Sequence, residues 1–196
     1  MSNDPNPGKK SAQVSICLIH WPILDRAKNL VATNVTNFDI HDIARASRTY
    51  GLKQYTIVNR VKEQLMFVHR LLDHWLTGMG SQFNPYRKKA LKMINTQETL
   101  ETLVASFAKR PLLVGTSARP MGDAKPATFK EMRKIIADLE DDQEVLLVFG
   151  TGYGLPEEEL SKMDYLLEPI KGPSPDGFNH LSVRSAVSIC LDRLLS

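Results

Sequence analysis

"LLVFGTGYGLPEEEL", residues 146–160, is the stretch on which the reading of the fold turns. Leu146–Phe149 form an uninterrupted apolar run of strand length, the pattern of a strand covered on both faces in a parallel sheet. Gly150, Gly152 and Gly154 follow directly and so belong to the loop at the carboxyl end of that strand, where open α/β sheets bind their ligands. Glycines there let main-chain groups approach a ligand closely, or simply permit a tight turn. Pro156 and the glutamates at 157–159 suit the first turn of a helix, and those same acids would repel a phosphate.

Working outward, strands and helices alternate. "QVSICLIHW" (13–21), "QYTIVN" (54–59), "PLLVGT" (111–116), "EVLLVFG" (144–150) and "MDYLLEP" (163–169) read as strands. "DIHDIARASRTYG" (39–51) reads as a helix starting at Ile40 with a glycine stop, and Leu65, Val68, Leu72 and Trp75 recur at helical steps in a helix ended by Gly78. Further helices are expected over "RKKALKM" (87–93), "TQETLETLVASFA" (96–108), "TFKEMRKIIADLE" (128–140) and "HLSVRSAVSICLDRLL" (180–195), with a turn over "GSQFNPY" (80–86). This alternation predicts an α/β fold with helices on both faces of a parallel sheet: one domain over residues 13–196, preceded by a disordered tail over 1–12.

A chain of 196 residues builds one core comfortably and two only with difficulty. No run approaches the roughly 18 apolar residues of a membrane span, and "MSNDPNPGKKSAQ" lacks an exportable apolar core, so a cytoplasmic protein without membrane association is expected. Cys17 and Cys190 have apolar neighbours and are expected as buried free thiols. His69 and His74, five residues apart, do not share a helix face well, and His20, His41 and Asp42 bring no arranged set of acids; no metal is expected. The net charge of +3 permits a nucleic-acid partner only if the charge clusters. Arg45, Arg48, Arg87, Lys88, Lys89 and Arg119, with Tyr86 or Trp21 for stacking, compose either an RNA-backbone surface or scattered solvated charge.

Two nucleotide readings of the glycine turn are weak. A dinucleotide fingerprint opens its domain and needs further strand and helix pairs behind it, whereas only some forty residues follow these glycines, although Glu168 stands about where a ribose-binding acid belongs. A phosphate-binding loop requires a lysine followed by serine or threonine, and proline and acids stand there instead.

Four segments taken together carry a resemblance: "TNVTNFDIHDIARASRTYG", "LLVFGTGYGL", "LLEPI" and "FNHLSVRSAVSICLDRLL". In order and spacing they resemble the three motifs of the SPOUT (α/β-knot) RNA methyltransferases. More closely, the chain from about residue 13 onward resembles the bacterial S-adenosylmethionine-dependent RNA methyltransferase family, whose domain also occurs fused behind tRNA guanine-N1 methyltransferases. The resemblance implies a C-terminal deep trefoil knot that holds bent S-adenosylmethionine, a homodimer through the first and last helices, and an RNA substrate, tRNA before rRNA. It implies a cofactor site made of Thr116 and Ser117, of Gly150, Thr151, Gly152, Gly154 and Leu155, and of Pro169, Ile170, Asn179, His180, Leu181 and Ser182.

The chemistry implied by the resemblance falls on Arg45, Asp39, His180 and Arg184. Arg45 stands where the family places an arginine near the methyl acceptor; its pKa excludes an ordinary base role, so it would hold phosphate or position charge. Otherwise it is a surface helix charge. Asp39 takes the place of an asparagine common in related enzymes, or else caps its helix. His180 replaces the asparagine of the ribose-methylating pattern, as a proton acceptor or as a helix-start residue whose backbone alone matters. Arg184 binds RNA phosphate across a dimer interface or is solvated. The rival readings are a cofactor- or RNA-binding module without turnover and an NAD-dependent Rossmann enzyme.

Overall fold

The apolar run at 146–149 lies at the centre of a seven-stranded parallel sheet, in a computed structural model that describes residues 12–117, 124–140 and 142–196. The tail expected over 1–12, apart from Ala12, lies outside the described residues, as does Arg119. In chain order the elements are β1 (Gln13–Ile19), β2 (Ile23–Leu24), β3 (Leu30–Val31), α1 (Asn37–Thr49), β4 (Tyr55–Val58), α2 (Lys62–Leu76), α3 (Gly80–Phe83), α4 (Pro85–Leu91), β5 (Ile94–Gln97) and α5 (Leu100–Ala105). They continue as β6 (Leu112–Thr116), β7 (Lys125–Ala127), α6 (Phe129–Asp138), β8 (Glu144–Gly150), α7 (Glu157–Leu160), β9 (Tyr165–Leu167) and α8 (Val183–Leu195).

The strands run in the order β5-β4-β1-β8-β6-β9-β7, and β2 with β3 forms a separate antiparallel hairpin. Alternation along the central strands divides the core into two clusters. Ile16 and Leu18 of β1 and Val145, Leu147 and Phe149 of β8 pack with Ile40 and Ile43 of α1, Val68 of α2, Met132 of α6 and Leu191 of α8. Cys17 and Ile19, with Leu146 and Val148, pack with Leu100 and Leu103 of α5 and Leu160 of α7. Both faces are therefore covered, as an all-apolar central strand requires. Cys17 and Cys190 are free and buried; burial pushes both thiols up, that of Cys190 to about 12.

The outer elements depart from expectation. Residues 94–97, part of them assigned to a helix, form the edge strand β5, paired with β4 from Tyr55↔Ile94 to Val58↔Gln97. Only Ile94 of the four is buried, so no apolar pattern announces the strand. The helix that follows starts at Leu100, where Thr99 and Thr102 form a capping box. The expected turn at 80–86 holds the one-turn helix α3 and the start of α4, which Asn84 caps and Pro85 opens. β7 contains Pro126, tolerated because the strand is the sheet's outermost.

Candidate functional site

Because every strand of the sheet is parallel, the loops after β1, β4, β6, β8 and β9 share one edge. β8, β6 and β9 are neighbours, with Gly115 opposite Val148 and Thr116 opposite Leu167. Their loops therefore lie side by side, and Thr116, Ser117, the 150–155 turn, Pro169 and Ile170 come together at the carboxyl ends. Chain direction diverges between β1 and β8: β1 leads outward to β4 and β5, while β9 lies on the far side of β8. That divergence is where open sheets form a ligand crevice.

Individual roles within this group are uneven. Thr116 donates its hydroxyl to the Val148 carbonyl (3.0 Å) and is engaged in the sheet. Leu155 is buried in the second core cluster. Ser182 caps α8 by accepting from the Ser185 N–H (3.2 Å), while Asn179, His180 and Leu181 are exposed in the preceding loop, the His180 ring lying 6.3 Å from that of Phe178. Glu168, the acid a ribose would need, accepts instead from the Phe129 N–H at the start of α6 (2.7 Å). That contact removes the last support for a dinucleotide site.

The β2–β3 hairpin folds over the glycine turn. Leu24 donates to the Gly154 carbonyl (3.0 Å) and accepts from the Tyr153 N–H (3.1 Å). Gly152 has φ +54°, and a Cβ there would stand 2.9 Å from Ile23 Cγ2; its missing side chain makes room for the protein's own hairpin rather than for a ligand. Gly154, at φ +101°, differs: a Cβ would meet nothing within 4 Å, so its backbone borders open space. The uncharged main chain of the 150–155 turn suits a purine and the methionine moiety of S-adenosylmethionine, and the glutamates at 157–159 that follow it disfavour a polyphosphate.

Sequence reading did not connect the polar residues beneath this turn, and it named His20 only as an unlikely metal ligand. His20 and Asn59, at the ends of β1 and β4, are both buried. His20 Nδ1 lies 2.9 Å from Thr33 Oγ1, which lies 2.5 Å from Thr151 Oγ1, which in turn donates to the Ile19 carbonyl (3.1 Å). Asn59 Nδ2 donates to the Thr33 carbonyl (3.2 Å). The only sequence signal is a single polar residue directly after each apolar strand.

On the neighbouring surface α1 begins at Asn37, not at Ile40. Thr36 is its N-cap and Asp39 completes a capping box, accepting from the Thr36 N–H (3.1 Å) and hydroxyl (2.6 Å). Arg184 stands within ion-pair distance of Asp39 (3.6 Å) and Asp42 (3.7 Å) of the same chain, and so is paired while its side chain stays partly exposed to solvent. Arg45 lies elsewhere, in a cleft of about 420 Å³ between α1 and α4 lined also by Arg48, Asn84, Tyr86 and Arg87. The Arg87 guanidinium sits 4.4 Å from the centre of the Trp75 ring, which holds it in place. Among the described residues no carboxylate pairs with these arginines. Burial, then the charges of Arg87 and Arg45, lower the pKa of the nearby His41 against an upward pull from Asp42. Trp21 carries Arg60 3.5 Å over its ring, so that face is taken, whereas Tyr86 is 82% exposed. The cleft is lined by none of the loop residues above.

Comparison with known proteins gives a consistent picture. The model of the family described as SAM-dependent RNA methyltransferase matches residues 13–196. A tRNA (guanine-N(1)-)-methyltransferase of Nitratidesulfovibrio vulgaris strain Hildenborough is 42% identical over 182 residues, 91% of this chain but 41% of that protein, so the chain spans about two fifths of this relative. An uncharacterized protein of Aquifex aeolicus strain VF5 is 38% identical over 187 residues, 93% of this chain and 88% of the relative. Among solved structures, the SpoU methyltransferase AviRb of Streptomyces viridochromogenes, in complex with AdoMet, shares the fold at 12% identity with a TM-score of 0.53, covering 95% of this chain and 58% of that one.

Proposed function

The chain belongs to the SAM-dependent RNA methyltransferase family, and we propose that it transfers a methyl group from S-adenosylmethionine to RNA in the cytoplasm, with tRNA as the favoured class. The observation that supports this reading is the adjacency of β8, β6 and β9, which sets the carboxyl ends of these strands, with the uncharged glycine turn after β8 among them, along one edge. The residues fit the cofactor: Gly154 borders open space, and Thr116, Ser117, Thr151, Pro169 and Ile170 stand at or just beyond the carboxyl ends of β6, β8 and β9. S-adenosylmethionine supplies an electrophilic methyl when bound. The protein's task is then to present the acceptor in line and to accept its proton.

In the proposed division of work Arg45, Arg48 and Arg87 hold the RNA backbone while Tyr86 stacks on an unpaired base. Asp39 is committed to the capping box and to Arg184, which leaves the exposed imidazole of His180 to take the acceptor proton. A C-terminal knot is part of the proposal. What supports it is the strand order, in which β9 lies between β6 and β7 although it follows both in the chain. We also propose a homodimer across α1 and α8, where Phe38 of α1 and, in the loop that leads into α8, Phe178 and Leu181 are exposed apolar side chains, to be read by sedimentation equilibrium. The 13–196 segment acts as one domain.

Calorimetry should show binding of S-adenosylmethionine and none of NAD, and labelled methyl should enter total tRNA; NAD binding alone would overturn the reading. Cofactor binding without transfer into tRNA or rRNA would favour a binding module. Arg45→Ala should weaken tRNA binding about tenfold or more, the worth of one charge-assisted hydrogen bond, and leave cofactor affinity unchanged. An unchanged tRNA affinity would remove Arg45 from the RNA surface.

A further inference from the structure

The polar residues beneath the glycine turn form a single circuit whose direction can be deduced. We propose that His20 is a positioning residue, which sets the 150–155 turn through a one-way hydrogen-bond relay from His20 Nδ1–H to Thr33, from Thr33 to Thr151, and from Thr151 to the Ile19 carbonyl. The consequence for cofactor binding rests on the donor-site reading above; the relay itself does not.

The direction follows from counting protons. A carbonyl oxygen only accepts, so the one hydroxyl proton of Thr151 is committed to Ile19 at 3.1 Å. Thr33 must then supply the proton in its 2.5 Å contact with Thr151. With that proton used, Thr33 Oγ1 accepts from His20 Nδ1 at 2.9 Å, which makes the imidazole the Nδ1–H tautomer. Nε2 is left as a bare lone pair, and it is buried without a hydrogen-bond partner among the described residues. The other tautomer would bury an unpaired N–H there and set the Nδ1 lone pair against a threonine oxygen with no proton left to share.

Thr33 is the junction of this circuit. Its N–H donates to the His20 carbonyl (2.9 Å) and its carbonyl accepts from Asn59, so the ends of β1, β4 and β8 all converge on one residue. Thr36, which caps α1, follows three positions later. The relay therefore joins the turn of the methyl-donor side to the start of the helix that carries Asp39 and Arg45. Hydroxyls at 33 and 151 and a donor at the Nδ1 place of residue 20 are required; packing alone does not satisfy it.

Nitrogen-resolved NMR of the full chain at neutral pH tests the relay without cofactor. The His20 ring should carry its proton on Nδ1, and a proton on Nε2 would overturn the proposal. Thr33→Val and His20→Phe should each shift the Gly152 and Gly154 amide resonances and weaken S-adenosylmethionine binding about tenfold. His20→Asn, whose amide nitrogen falls near the Nδ1 place, and Thr33→Ser should recover binding to within about threefold. Unmoved glycine amides in Thr33→Val, or equal binding by the Phe and Asn variants, would overturn it. A wild-type chain that failed to bind S-adenosylmethionine would instead sink the donor-site reading, and the tautomer and amide signals would still decide the relay.

Discussion

Gly152→Ala is expected to destabilise the protein and to reduce its affinity for S-adenosylmethionine at least tenfold, that is by about 1.4 kcal/mol or more. Two costs add at this position. A φ of +54° is left-handed backbone, in which a side chain costs about 1–2 kcal/mol. The new methyl would also stand 2.9 Å from Ile23 Cγ2 and 3.3 Å from the Leu24 carbonyl oxygen. Ile23 is fully buried and Leu24 is held by two backbone hydrogen bonds to the turn, so neither can yield without lifting the hairpin. Gly172→Ala is the control, because a Cβ there meets nothing within 4 Å and no left-handed φ is involved; it should stay within about 0.5 kcal/mol of wild type. Urea denaturation and calorimetry on both variants check this. Equal stability and equal affinity for the two alanine variants would show that the hairpin does not brace the turn.

That result bears on what the sequence could reveal. The glycines at 150, 152 and 154 were legible as a loop at a sheet's carboxyl edge, since an apolar run followed by glycine has few other readings. Their separate jobs were not. Gly152 serves the contact with Ile23, 129 positions earlier, and Gly154 faces open space; local sequence carries no trace of that difference. The central strands β1, β4, β6 and β8 were legible because burial on both faces writes mostly apolar residues along them, broken only by small or polar residues such as Ser15, Thr56 and Gly115. β5 and β7 were not, because an edge strand needs few buried side chains and tolerates asparagine, lysine and proline. Asp39 was legible as a helix-start acid. That Thr36 is the cap, and that Arg184 of the last helix reaches Asp39, depends on packing that brings α1 and α8 together. His20 drew notice only as an unlikely metal ligand, since nothing near it in the sequence points to Thr33 and Thr151 as its company.

His20 also predicts an acid sensitivity. Burial of its ring lowers its pKa from 6.5 to about 4, against a smaller upward pull from the Asp39 carboxylate. A depressed pKa means that the unfolded chain binds the proton more readily than the folded one, so the stabilising contribution is complete above pH 6.5 and is lost as pH falls toward 4. Between neutral pH and about pH 5 this single group should remove about 2 kcal/mol of stability. His41, also lowered chiefly by burial and then by Arg87, acts in the same direction, whereas the buried Glu159, raised by desolvation, binds its proton more readily when folded and partly opposes both. Comparison with His20→Asn isolates the one contribution, because the other groups titrate in both proteins. Urea unfolding of the two proteins at neutral pH and near pH 5 should show the wild type losing about 2 kcal/mol more than the variant. Parallel losses would mean that His20 accepts a proton in the folded state at little cost. In that case the ring would be an imidazolium in mildly acidic conditions, with a proton on both nitrogens, so Nδ1 would still donate to Thr33 and only the buried Nε2 would change. A steeper loss in the wild type places the histidine on the uncharged side of its titration throughout the neutral range, where its one ring proton stays on the nitrogen that faces Thr33.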